Sequence, residues 1–245
     1  NASRYFEESK TFKKKLEGAK KIVMESRMNL RKEQKKEEET LRVDEDRKRR
    51  WYEKFRWFKT SDGFLVVAGK DASTNEEVIK TYAEKNDLVF HTSLKGSPFS
   101  VIKNDENKEI PEQSREEARI FTATYSKAWE NNYQSLEVIE VEPDQVTKDA
   151  QSGEYLEKGS FMIYGDRRIE TVPLQLSLGV IEDDGYNKLI GGPHTPISES
   201  CKKITRVVPG KGKKSEVSNE LKKKYKMKKN DDILKILPAG GTKIL

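Results

Sequence analysis

Residues 1 to about 52 contain no proline and a single glycine, Gly18, and that run restricts the fold more than any other feature. A segment of this length without a breaker reads as one long helix. Apolar residues fall at Tyr5, Phe12, Leu16, Ala19, Val23 and Leu30, spaced by seven, four or three. Such spacing is the a/d seam of a coiled coil. The seam fades after Leu30, because Arg31 to Thr40 holds no apolar residue. A helix polar on every side bridges solvent or is held by charge pairs along its faces. One helix cannot bury its own seam, so a partner is implied. Either a second copy pairs with it as a homodimer, or the partner helix lies upstream of Asn1 in a longer protein.

The pattern changes at Trp51. Phe55-Arg56-Trp57-Phe58 and Phe64-Leu65-Val66-Val67-Ala68 flank Ser61-Asp62-Gly63, which predicts a β-hairpin. A short helix follows over Asn75 to Lys85, then strands at Leu88 to His91 and Phe99 to Ile102. Pro111 suits the first turn of a helix running to about Trp129. Further strands are predicted at Leu136 to Val141, Phe161 to Tyr164, Leu174 to Ile181, Leu189-Ile190 and Ile204 to Val208. Ser218 to Met227 is a helix, Ile233 to Leu237 a shorter helix or turn, and Lys243 to Leu245 a last strand. The class is α+β: a long coiled-coil helix, then a mostly antiparallel sheet with flanking helices. The expected division is an arm at 1–52, a globular domain at 53–190, and a basic region at 191–245 packed on or beside it.

Charged residues make up 37% of the 245 residues and hydrophobic ones 33%, with a net charge of +6. That balance fits a globular body with a charged extension and permits nucleic-acid binding without demanding it. The single cysteine, Cys201, rules out an intrachain disulfide framework and favours a reducing, cytoplasmic setting. No apolar run approaches the roughly 18 residues of a membrane span. The N-terminus lacks a signal core. His91 and His194 are the only histidines, and no metal-ligand spacing appears. Asp183-Asp184 and Asp231-Asp232 are adjacent pairs, which point to opposite faces of a strand rather than into one metal site. Neither a cofactor nor catalysis is expected.

The run WYEKFRWFKTSDGFLVVAGKDASTNEEVIKTY from Trp51, then DLVFHTSLKGSPFSVIKN from Asp87, resembles the NFACT-R domain of the NFACT family. The resemblance continues through EQSREEARIFTATYSKAW and EYLEKGSFMIYGDRR. NASRYFEESKTFKKKLEGAKK is similar to the start of the family's second coiled-coil arm. VVPGKGKKS to LPAGGTKIL is similar to the C-terminal region of archaeal members. The resemblance implies an RNA-binding module of a ribosome-associated quality-control factor. Such factors engage large ribosomal subunits carrying stalled peptidyl-tRNA, recruit aminoacyl-tRNA and promote untemplated tail addition. The family's tRNA-recruiting Asp-Arg motif belongs to an N-terminal domain with no counterpart here, so this piece is expected to contact RNA and ribosome rather than to support tailing. Two departures stand out. Many relatives have His-Ala-Asp where this chain has His91-Thr92-Ser93, and many have Arg in place of Lys70, which keeps the charge but loses the bidentate fork.

The candidate RNA contacts are Lys70, Asp71, Asn75, His91, Lys95, Ser97, Arg167 and Arg168. Asp71 and Asn75 follow strand-ending Gly69, and read either as helix caps or as a polar pocket for a base or sugar, with Lys70 on phosphate. His91 reads as a hydrogen-bonded structural residue or, beside Lys95-Gly96-Ser97, as part of a phosphate-admitting loop. That loop lacks the first glycine of a Walker A motif. Tyr164, Arg167 and Arg168 sit at a predicted turn. Trp51, Tyr52, Phe55, Trp57 and Phe58 read as core and as the joint between helix and sheet, or as base-stacking rings if exposed. The lysines from 211 to 229 are a solvated helix face or a phosphate patch. A second reading makes the chain a scaffold whose arm binds a ribosomal protein or a ligase. A third is an RNA-processing enzyme centred on Asp71 and His91.

Overall fold

The computed structural model describes residues 2–40, 49–149, 156–183, 186–227 and 230–245. Two compact units result, one up to Arg47 and one from Lys48 to Leu245. The first is a single helix, α1 (Ala2–Thr40). Its seam stands open: Tyr5 is 72% exposed, Phe12 68% and Leu16 56%. The stretch 41–48 of the predicted arm lies outside the described residues. The helix predicted to residue 52 does not reach it, since Trp51–Lys54 form a 3₁₀ turn. Among the described residues, no helix is long and apolar enough to cross a membrane.

The second unit holds two antiparallel sheets. The larger contains β1 (Arg56–Lys59), β2 (Leu65–Ala68), β3 (Leu88–His91), β4 (Ser100–Ile102), β5 (Ser135–Val141) and β8 (Arg168–Pro173), in the order β1-β2-β4-β3-β5-β8. A small ribbon pairs β6 (Val146–Thr147) with β7 (Met162–Ile163). The second sheet runs β10-β9-β11-β12, from β9 (Leu176–Asp183), β10 (Tyr186–Gly192), β11 (Lys202–Pro209) and β12 (Thr242–Ile244). The hairpin around Gly63 forms as its residues predict, with Trp57 opposite Val67 and Phe58 opposite Val66.

Strand alternation puts the larger sheet between two apolar layers. On one face Phe58, Val66, Ala68, Phe90 and Ile102 meet α3 (Glu112–Thr124) and α4 (Lys127–Glu130). On the other, Val67, Val89, Val101 and Ile139 meet Tyr52, Phe55, Val78 and Ile79. The last two come from α2 (Ala72–Glu77) and the π-helical turn Val78–Tyr82 that continues it. The first layer does not stop at the sheet edge. It runs on through Leu176, Leu178, Val207, Leu221, Tyr225 and Ile233, so α6 (Lys214–Tyr225) and α7 (Asp231–Ile236) share a core with β1–β5. β10 also runs across residue 190.

Four elements differ from expectation. The helix predicted over 111–129 breaks after Thr124, where the Ser126 hydroxyl caps α4 by accepting from Ala128 N at 3.1 Å. The strand predicted from Leu174 begins at Leu176. Arg168 opens strand β8 and does not sit in a turn. α5 (His194–Ser200), begun by Pro193, has no counterpart in the prediction.

Candidate nucleic-acid interface

The row Arg56–Ala68–Ser100–Phe90–Glu140–Arg168 crosses all six strands of the larger sheet in register. Just beyond Ala68 the chain turns at Gly69 into α2. Asp71 caps that helix. Its Oδ1 accepts from Thr74 N at 2.9 Å, while Thr74 Oγ1 accepts from the backbone N–H of both Lys70 and Asp71. The hydrogen bond from Thr74 N is the main reason the Asp71 carboxyl lies below the usual range. Asn75 is fully engaged too. Its Oδ1 accepts from Phe99 N at 3.1 Å and its Nδ2 donates to Ser97 O at 3.4 Å. Only glycine fits at 69, since a Cβ there would lie 2.0 Å from Asn75 Oδ1.

His91 closes the same loop from the other side. Its Nδ1–H donates to Pro98 O at 2.9 Å, and its ring stacks on Phe99 with centroids 3.8 Å apart. Burial pushes its pKa down, so the ring is neutral and Nε2 remains an acceptor. Ser97 is buried and donates to Leu94 O at 2.7 Å. Asn75 and His91 therefore converge on the backbone of one segment, 97–99, while Ser97 ties back to Leu94 and Asp71 caps α2 at the neighbouring turn. Capping and structural bonding account for these contacts.

The basic candidates divide. Lys95 is exposed at the loop tip, 3.5 Å from Glu157. Lys70 turns its ammonium to Lys54 O at 2.6 Å. Desolvation, then the charges of Arg56 and Lys235, hold that ammonium below the ordinary lysine range. Arg168 lies at the opposite edge of the sheet, four strand spacings or about 19 Å from β2. Its guanidinium forks onto Glu112 at 2.7 and 3.1 Å, which continues into the Arg119–Glu140 pair. Arg167 is exposed beside it. Tyr164 is half-exposed and donates to Asp149 O.

Of the aromatic run, Tyr52, Phe55 and Phe58 are core, while Trp51 stacks on Tyr82 at 4.3 Å. Of the lysine-rich stretch, Lys223 and Lys224 lie on the solvated side of α6, which buries Val217, Leu221 and Tyr225, while Lys211, Lys213 and Lys226 flank that helix; Lys228 and Lys229 lie outside the described residues. Lys214 breaks that pattern by donating to Leu237 O at 2.7 Å. Sequence reading missed Arg56 entirely. Its only sequence signal is a cation between aromatics in a strand.

Residues 54–165 match the model of the NFACT protein RNA binding domain. The chain is 43% identical over 202 residues to the archaeal Rqc2 homologue aRqcH of Methanocaldococcus jannaschii, covering 81% of this chain and 30% of that protein. It belongs to the NFACT family. Within the family it is also 35% identical to the NEMF homologue of the ribosome quality control complex in Drosophila melanogaster, covering 68% of this chain and 17% of the fly protein. The human NEMF subunit of that complex is 33% identical, with 68% and 16% covered. The chain thus spans under a third of the length of these NFACT relatives. The Lys70–Asn75 turn and the His91–Ser97 loop both lie within its RNA-binding domain match.

Proposed function

We propose that this chain is the RNA-contacting module of a cytoplasmic ribosome-associated quality-control factor, engaging large ribosomal subunits that carry stalled peptidyl-tRNA. The observation that carries this reading is the 43% identity to the archaeal Rqc2 homologue along most of the chain. The role is binding, not turnover. Lys70, Lys95, Arg167 and Arg168 supply phosphate contacts; Asn75, His91 and Ser97 hold the loop that presents Lys95, and Asp71 caps the helix that follows Lys70. Base contacts from the His91 Nε2 acceptor are part of the same reading. The test is equilibrium binding of tRNA and of purified large subunits at rising salt. Four phosphate contacts correspond to a loss of roughly 10²-fold in affinity between about 50 and 200 mM salt. Undetectable binding of both partners at low salt would sink the reading.

A second reading, favoured by the open seam of α1, makes the arm the ribosome-docking or self-pairing element. Deletion of residues 2–40 should then abolish subunit association and convert a dimer to a monomer in solution mass measurements. Unchanged association and mass after that deletion exclude it.

A further inference from the structure

Arg56, Lys70, Lys188, Lys214 and Lys235 come from five separate elements, yet bonds across the core draw them to one place. Arg56 Nη1 donates to Gly69 O at 2.7 Å, which fixes the start of the Lys70 turn. The same guanidinium lies 4.6 Å from the centre of the Tyr125 ring. Tyr125 in turn donates to Ile236 O at 2.8 Å, next to Lys235. Lys214 donates to Leu237 O at 2.7 Å, so the start of α6 is tied to the end of α7. β10 packs against this join, since a Cβ at Gly191 would lie 2.4 Å from Ile236 Cγ2; Lys188 stands on the same strand.

The charges at this join are poorly balanced. Arg56 Nε is buried with no hydrogen-bond partner among the described residues, and the bonds of its guanidinium described here go to a carbonyl and a ring. The charges of Arg56, Lys235 and Lys188 all act on Lys70, and that of Arg56 acts on Lys214. Asp71 is the carboxylate that acts on both Arg56 and Lys70, but its Oδ1 is engaged in capping α2. Lys188 has Glu53 at 2.8 Å, and exposed Lys235 has Asp232 at 3.5 Å. Holding the largely buried Arg56 and the half-buried Lys214 beside further cations is costly unless an anion meets them.

We propose that Arg56, Lys70, Lys214 and Lys235, with Lys188 at the rim, form a composite site for an RNA phosphodiester where the C-terminal helices meet the larger sheet. This deepens the RNA reading above and rests on it. Arg56 and Lys70 lie within the RNA-binding domain match, whereas Lys188, Lys214 and Lys235 lie beyond its end at residue 165. The C-terminal segment thus supplies three of the five cations.

The experiment measures binding of a fluorescein-labelled oligouridylate 12-mer to the full chain across a salt series. One variant joins Lys70→Gln to Lys235→Gln, both exposed positions. The control joins Lys223→Gln to Lys224→Gln on the solvated side of α6, with the same change in net charge. The cluster pair should weaken binding on the order of tenfold at low salt and lower the slope of log K against log salt by about 1.5. The control pair should change affinity less than about twofold. In amine footprinting with an acetylating ester, RNA should protect Lys70 and Lys235 but not Lys223 and Lys224. If the parent binds RNA while both pairs behave alike and no selective protection appears, the composite site is wrong and the RNA reading stands. If the parent binds neither this oligomer, tRNA nor large subunits, both fall.

Discussion

Trp129→Ala is expected to destabilise the globular unit by about 3–5 kcal/mol, as truncations of buried tryptophans do. Trp129 is completely buried in the larger core. It also ties two distant parts of the chain together, because its indole N–H donates to Gly241 O at 3.1 Å and Thr242 Oγ1 at 3.2 Å. The substitution leaves a cavity and strips the donor from β12. For a unit of this size the midpoint of thermal unfolding should fall by about 6–20 °C. Amide hydrogen exchange should quicken first in β12. Trp129→Phe keeps most of the volume and loses only the N–H, so its cost should be about 1–3 kcal/mol. Equal midpoints for Trp129→Ala and wild type would show that α4 does not anchor the C-terminal strand.

Asp87→Ala should be comparably severe, for a different reason. The Asp87 side chain is 1% exposed. Its Oδ2 accepts from Lys103 Nζ at 2.6 Å and from Glu84 N at 2.8 Å, and its Oδ1 accepts from Asn104 N at 2.7 Å. Removing the carboxylate leaves the buried Lys103 ammonium with Tyr82 O and with carboxylates no nearer than 3.6 Å. Breaking a buried pair from one side costs about 3–5 kcal/mol. Lys103→Met should cost less, because Asp87 keeps both backbone donors. Denaturant titration of the two single variants and the double variant gives the coupling directly. A Lys103→Met cost equal to or above that of Asp87→Ala would refute this ordering.

Sequence patterning captured what local physics controls. Gly63 between two apolar runs specified the β1–β2 hairpin, and Pro111 placed the start of α3. The family resemblance of the 51–104 run was legible as well, and the domain match agrees with it. β8 was not legible. Only Val172 of its six residues is buried, so an edge strand facing solvent carries no apolar alternation. α5 is short and contains Pro196, which reads as a loop. At the site, the turn chemistry of Asp71 and Asn75 was legible from residue type, with capping as the outcome for Asp71. The neighbours of Lys70 were not. Arg56, Lys188, Lys214 and Lys235 are separated by up to 179 positions in the chain, and tertiary packing alone brings them together. Arg168 shows the reverse: its charge was legible, but not its bidentate lock on Glu112.

The apolar layer that passes from Phe58 to Tyr225 without interruption bears on how this protein should be cut. A fragment trimmed to the domain match at 54–165 would keep α3 yet lose Leu176, Leu178, Val207 and Leu221, which complete the same apolar core. It would also leave β5 as a bare edge, since β8 is its outer neighbour. Exposed strand edges beside uncovered apolar surface recruit other chains. The recognisable domain is therefore shorter than the cooperative folding unit. Melting of the segment from 49 to 245 should be a single event rather than a domain followed by a tail.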